Sequence, residues 1–136
     1  MYNQDLKPHG EYLAKAQAVP QNASADGNGG GRRLAGNNGA VEIVGKVTTA
    51  LALADTKSLS IDLHQAPDVD GEPGSYTFMA SLYTLTASGA ASVDVDTELF
   101  AFVLPTNCAN NVKTVLTSTD VAATGAVDIY PRYLPR

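Results

Sequence analysis

The sequence predicts an all-β domain, an antiparallel β-sandwich or jelly roll, preceded by a long, mostly irregular N-terminal arm. Three observations carry this. Apolar and polar residues alternate strictly from Ser58 to His64, with Leu59, Ile61 and Leu63 on one side. After residue 40, short runs rich in Val, Ile, Thr and aromatics follow one another, separated by turn-forming residues. Seven of the 12 glycines lie in the first 40 residues, which sets that stretch apart from the body.

The arm is placed at residues 1–39 and the sandwich at 40–136. Residues 22–39, NASADGNGGGRRLAGNNG, hold too little apolar surface to offset the entropy of ordering them. Before them, Tyr12, Leu13, Ala16 and Val19 have spacing for about two helical turns, stopped by Pro20. Fully extended, such an arm reaches up to about 130 Å.

The body reads as about seven strands. Val41 to Val47 opens the set, and Ser58 to His64 follows with its polar side to water. Gln65 to Ser75, with two prolines, two glycines and acids, is a solvent loop. In Tyr76 to Thr84 the alternation puts Phe78, Ala80 and Leu82 inward, with Met79 and Tyr83 outward. Ser92 to Asp96 alternates briefly. Leu99 to Leu104 is continuously apolar, as suits a central strand, and Pro105 ends it. Val112 to Ser118 and Gly125 to Tyr130 complete the set, the last before Pro131. Links this short fit only antiparallel connections, and the absence of helix–strand alternation speaks against a parallel α/β sheet; a barrel is the alternative to two packed sheets.

Bulk composition narrows the function classes. The chain has 136 residues, 44% hydrophobic and 17% charged, with no Trp and one Cys. That is one ordinary domain with room for a core. It is too apolar for a disordered chain, too poor in Lys, Glu and Arg for a coiled coil, and has no run long enough to span a membrane. Net charge is −5, so a nucleic-acid partner is not expected. The arm is mildly basic and the body acidic. The N-terminus shows no signal-peptide pattern, which predicts synthesis in a cytoplasm.

No catalytic, metal or cofactor site is expected. Cys108 has only His9 and His64 as possible partners in the whole chain, and reads as an incidental thiol. Asp68-Val69-Asp70-Gly71-Glu72 offers carboxylates to calcium but lacks the EF-hand spacing, and reads as a polar turn. His64 beside Asp62 lacks a second ligand histidine. Asp94 and Asp96, two apart on one strand face, read as solvent-facing acids rather than a glycosidase pair. The glycines at 29–31 precede Arg32-Arg33, not the Gly-Lys-Ser/Thr of a phosphate loop. The more suggestive stretch is C-terminal: Tyr130, Arg132 and Tyr133 are residue types favoured at protein interfaces.

The order of the Ser58-to-Gln65 strand, the acidic turn, the Leu99-to-Leu104 strand ending at Pro105 and the late Gly125-to-Ile129 strand resembles a known family. It is similar to the small head decoration, or capsid cement, proteins of tailed bacteriophages, particularly the Bbp16-like group. The resemblance covers roughly residues 40–131; the Gly-rich arm departs from that group's short leader. It implies a non-enzymatic virion protein, made in the host bacterial cytoplasm, that binds the outer surface of the phage head. There it bridges neighbouring major capsid proteins and works as a homo-oligomer, a trimer before a dimer. On this reading the arm contacts are Tyr2, Leu6, Tyr12, Leu13, Arg32, Arg33 and Leu34, joined by Tyr130, Arg132 and Tyr133. The competing reading is a β-sandwich binding module, for carbohydrate or protein, of a phage fibre or baseplate.

Overall fold

A computed structural model describes residues 12–33, 41–105 and 109–133, with the side chain of Tyr133 left aside. The strands are β1 (Ala14–Ala18), β2 (Ala23–Asp26), β3 (Arg32–Arg33), β4 (Val41–Leu53), β5 (Ser58–Ala66), β6 (Asp68–Val69), β7 (Glu72–Pro73), β8 (Thr77–Thr86), β9 (Ala91–Val93), β10 (Glu98–Val103), β11 (Asn111–Ser118) and β12 (Thr124–Tyr133).

They form two main antiparallel sheets. The first has the order β1-β12-β4-β10, with β9 also on β4; the second has β2-β11-β5-β8, with β3 also on β11. The pairs β1·β12, β2·β11, β4·β10 and β5·β8 nest inside one another along the chain. The chain therefore runs out to the connection after β5 and returns alongside itself. Successive pairs of this long ribbon fall alternately in the two sheets. That is the rolled, double Greek-key course of an eight-stranded jelly roll. The ribbon turns at the small β6–β7 hairpin, where Asp70 (φ 53°) and Gly71 (φ 85°) adopt the left-handed backbone that an Asp-Gly turn supplies.

The core lies between the sheets. Val41, Ile43, Val47 and Leu51 of β4 and Val127 and Ile129 of β12 meet Leu59, Ile61 and Leu63 of β5 and Val112 and Leu116 of β11, all fully enclosed. Each such side chain contributes about 1.5–3 kcal/mol by leaving water. The alternation in β5 is realised as predicted, its polar set lying on the outer face.

The described part of the expected arm is a different matter. Residues 12–33 are built into the sandwich: β1 pairs with β12, and β2 and β3 pair with β11. The expected helical turns are strand β1 instead. A segment of that length has little helical preference of its own, and the open edge of β12 offers it partners for its backbone groups. The glycines serve close approach rather than flexibility. A Cβ on Gly29 would stand 2.0 Å from the Tyr12 carbonyl oxygen, and one on Gly27 would stand 2.3 Å from that of Leu13. Only residues without side chains let the turn after β2 lie against β1.

Three further expectations are corrected. Tyr83 and Met79 pack against the core and Phe78 is exposed, because register shifts against β5 change the phase of β8 twice. Leu99–Val103 is an edge strand and not a central one, since β10 pairs only with β4 among the described residues. β12 continues through Pro131. Ile129 accepts from the Leu13 N–H at 2.8 Å, so Pro131, two residues on, turns its N–H-less nitrogen to the same side, past the end of the β1 ladder.

Candidate functional site

The outer face of the second sheet carries a mixed aromatic and ionic patch. In β11 the buried set Val112, Thr114, Leu116 leaves Lys113, Val115 and Thr117 on the outside. Lys113 is the cross-strand neighbour of His64, and His64 that of Phe78. The His64 and Phe78 rings meet edge to face, with centroids 6.0 Å apart. The Lys113 ammonium lies 4.8 Å from the Tyr76 ring centroid and 3.2 Å from Asp26 Oδ2. Tyr76 in turn rests on Gly31, where a Cβ would stand 2.0 Å from the phenol oxygen. At the rim, Arg33 pairs with Asp68 at 3.0 Å. Phe78 is 59% exposed, a large share for a phenylalanine.

The outer face of the first sheet differs. Tyr12, Val44 and Tyr130 form a small buried cluster there, the two rings 5.6 Å apart. Burial, and then the charge of Asp128, raises the Tyr12 phenol above its ordinary pKa. Lys15 sits 5.3 Å from the Tyr12 ring centroid. Arg132 ties three strands: its Nε donates to Glu42 Oε1 at 2.9 Å, its Nη2 bonds the same oxygen, and its Nη1 reaches Glu98 at 3.2 Å.

The residues singled out as partner contacts thus scatter. Leu13 is fully enclosed in the core and has no surface to offer. Tyr12 and Tyr130 are buried within the domain, and Arg132 is held by two glutamates. Arg32 donates its Nε–H to the Tyr12 carbonyl at 3.2 Å, and Arg33 lies at the rim of the aromatic patch. Tyr133 ends β12. Tyr2, Leu6, Leu34, His9 and Cys108 lie outside the described residues. The patch is not legible in the sequence. Phe78 reads as inward by alternation, and nothing in the sequence marks the register shifts that turn it out.

Asp94 and Asp96 do not share a strand face: β9 ends at Val93, and both acids are exposed in the turn before β10. The Asp68–Glu72 stretch is the β6–β7 hairpin, with Asp68 paired to Arg33. Among the described residues no three His, Cys, Asp or Glu side chains cluster as a metal site would need, and no helix is long and apolar enough to cross a membrane.

No protein-family model matches the sequence, and no curated protein is similar to it. Among solved structures, a chain from the crystal structure of the T13 IBDV viral particle superposes with a TM-score of 0.36 and 11% identity. The match covers 90% of this chain and 30% of that one. So faint a likeness leaves the fold to be read from this chain's own topology.

Proposed function

We propose that the protein is a structural component of a tailed-phage particle, a cement protein that binds the outside of the head and bridges neighbouring capsid subunits. The observation that supports this reading is the patch on the outer face of the β2-β11-β5-β8 sheet. There the exposed Phe78 and Arg33 and the half-buried Tyr76, His64 and Lys113 share a strand-built surface. Aromatic and arginine side chains dominate the energetics of protein contacts, and a rigid sheet presents them with little ordering cost. A repeated lattice would multiply a modest contact through many copies. The jelly roll is compatible with this role without proving it, since one fold hosts many functions.

The test is co-sedimentation of the purified protein with heads that lack it. Saturable binding, weakened at least tenfold by Phe78→Ala or Lys113→Ala, is the expected result. Absence of binding, or binding untouched by either change, would overturn the reading. The exposed Phe78 ring, with the half-buried Tyr76 near it, also favours a second reading, a carbohydrate module that stacks a sugar face on Phe78. Binding on a glycan array together with indifference to heads would establish that alternative.

A further inference from the structure

Among the described residues, every carboxylate that is buried or half-buried has a partner, with one exception. Glu42 and Asp68 are paired with Arg132 and Arg33, and Asp120 and Asp128 accept from backbone N–H groups. Asp62 is half-buried and has neither an ion pair nor a hydrogen bond among the described residues. It stands in the middle of the outer face of the β2-β11-β5-β8 sheet, between Val115 on β11 and Ser81 on β8. His64 follows two residues along the same strand, with Lys113 opposite it on one side and Phe78 on the other. Both are therefore diagonal neighbours of Asp62 on the same face. Neither they nor the nearby hydroxyls satisfy it. Lys113 lies against Asp26 at 3.2 Å and against the Tyr76 ring, and Ser81 Oγ is engaged with Thr84 Oγ1 at 3.4 Å. A partly enclosed carboxylate without a partner costs stability. A cost carried at the centre of a face, where the fold gains nothing from it, marks a site.

We infer that Asp62 receives an arginine side chain of the partner protein, with the exposed Phe78 ring as the platform beside it. The inference rests on the proposed reading of this face as the docking surface, and adds the chemistry of what docks there. The charges on the face select that occupant. Its two cations are already neutralised, Lys113 by Asp26 and Arg33 by Asp68. What is left over is the negative charge of Asp62, on a chain whose net charge is −5. An acidic partner would have to break one of the existing pairs. A basic partner gains Asp62 and breaks nothing, and the field of the whole chain draws it in.

The ring beside the carboxylate selects arginine over lysine. A guanidinium is planar: its fork of N–H groups fits a carboxylate and its flat face stacks on an aromatic ring. Phe78 is 59% exposed, and its ring is steadied edge to face by His64 at 6.0 Å. Ring and acid on one face thus offer both halves of guanidinium recognition. A sugar would use the ring and have no need of the charge, which separates this contact from the carbohydrate reading.

The test uses two probes on the full chain. The first is the peptide acetyl-Gly-Arg-Gly-amide, titrated against the protein by two-dimensional NMR beside the same peptide with citrulline, which keeps the shape and lacks the charge. The arginine peptide should shift the amides of Asp62, Phe78 and Ser81 saturably, the citrulline peptide should leave them in place, and Asp62→Asn should abolish the response. The second is co-sedimentation with heads that lack the protein. Asp62→Asn should weaken it at least tenfold, whereas Asp94→Asn, the same loss of charge in an exposed turn of the other sheet, should change it less than twofold. Since Asp62 has no partner in the fold, its replacement should not lower the thermal midpoint, so lost binding is not lost folding. Equal shifts with the citrulline peptide, or shifts that survive Asp62→Asn, would overturn the inference. Heads bound equally by parent and Asp62→Asn would refute this contact and leave the capsid reading standing. Saturable arginine binding at Asp62 by a protein that ignores heads would refute only the capsid reading.

Discussion

The side chain of Asn28 takes the place of a strand beside Lys15. Its Oδ1 accepts from the Lys15 N–H at 2.7 Å and its Nδ2 donates to the Lys15 carbonyl at 2.8 Å. One amide group thereby satisfies both backbone groups of Lys15 and fastens the glycine-rich turn to the edge of β1. Asn28→Asp keeps the acceptor but turns an oxygen toward the Lys15 carbonyl. It should cost about 1–2 kcal/mol, seen as a drop of several degrees in the thermal midpoint. Asn28→Ala should cost about 1 kcal/mol.

Gly29→Ala separates a packed turn from a mobile linker. In a linker the change would be neutral or slightly stabilising. Against the Tyr12 carbonyl, 2.0 Å from the new Cβ, β1 must shift, so the loss should exceed that of Gly30→Ala. Gly30 has open space around it but a φ of +70°, for which alanine costs about 1 kcal/mol. Denaturant melts of the two variants side by side check the order.

Asp120 should make the fold acid-sensitive. Its carboxylate accepts from the Ala54 N–H at 2.8 Å and from the Ala122 N–H at 2.9 Å, which joins the β4–β5 turn to the β11–β12 turn. Those two bonds, with help from Lys57 and against the opposing effect of burial, hold its pKa below the ordinary carboxylate value. A depressed folded-state pKa gives stability that is fully present above the unfolded value of about 4. That stability is lost as pH falls through the folded pKa. Melts from pH 6 down to pH 2 should therefore show a falling midpoint. Asp120→Asn should start lower and fall less steeply.

Thr114 carries a cost that can be removed. It is fully buried, and its hydroxyl has no hydrogen-bond partner among the described residues. Thr114→Val keeps the shape and drops the unpaired group. It should leave stability unchanged or raise it by about 1 kcal/mol, whereas most fully buried positions lose stability on substitution.

Deleting residues 1–33 removes three strands, not a tether. β1 covers one edge of β12, and β2 and β3 cover the edge of β11. The truncated chain should lose its cooperative transition, with the near-ultraviolet signal of Tyr130 losing its fixed environment. A sharp melt in that variant would contradict the role assigned to β1.

The sequence by itself determined the class of the fold and most of its strands. Leu59, Ile61 and Leu63 alternate with polar neighbours, and a period of two has one structural meaning when one face is buried. Short links then required antiparallel pairing. What the sequence left open was decided by partners distant along the chain. Residues 12–33 look like an arm because their own apolar content is low, yet their backbone groups are satisfied by β11 and β12, about a hundred residues further on. Phe78 looks inward because alternation assumes an unbroken register, and a shift in pairing against β5 reverses it. Local pattern reports which residues avoid water. Which of them succeed, and which remain at an open edge beside β10, depends on where the last strands of each sheet stop, and tertiary pairing alone sets that.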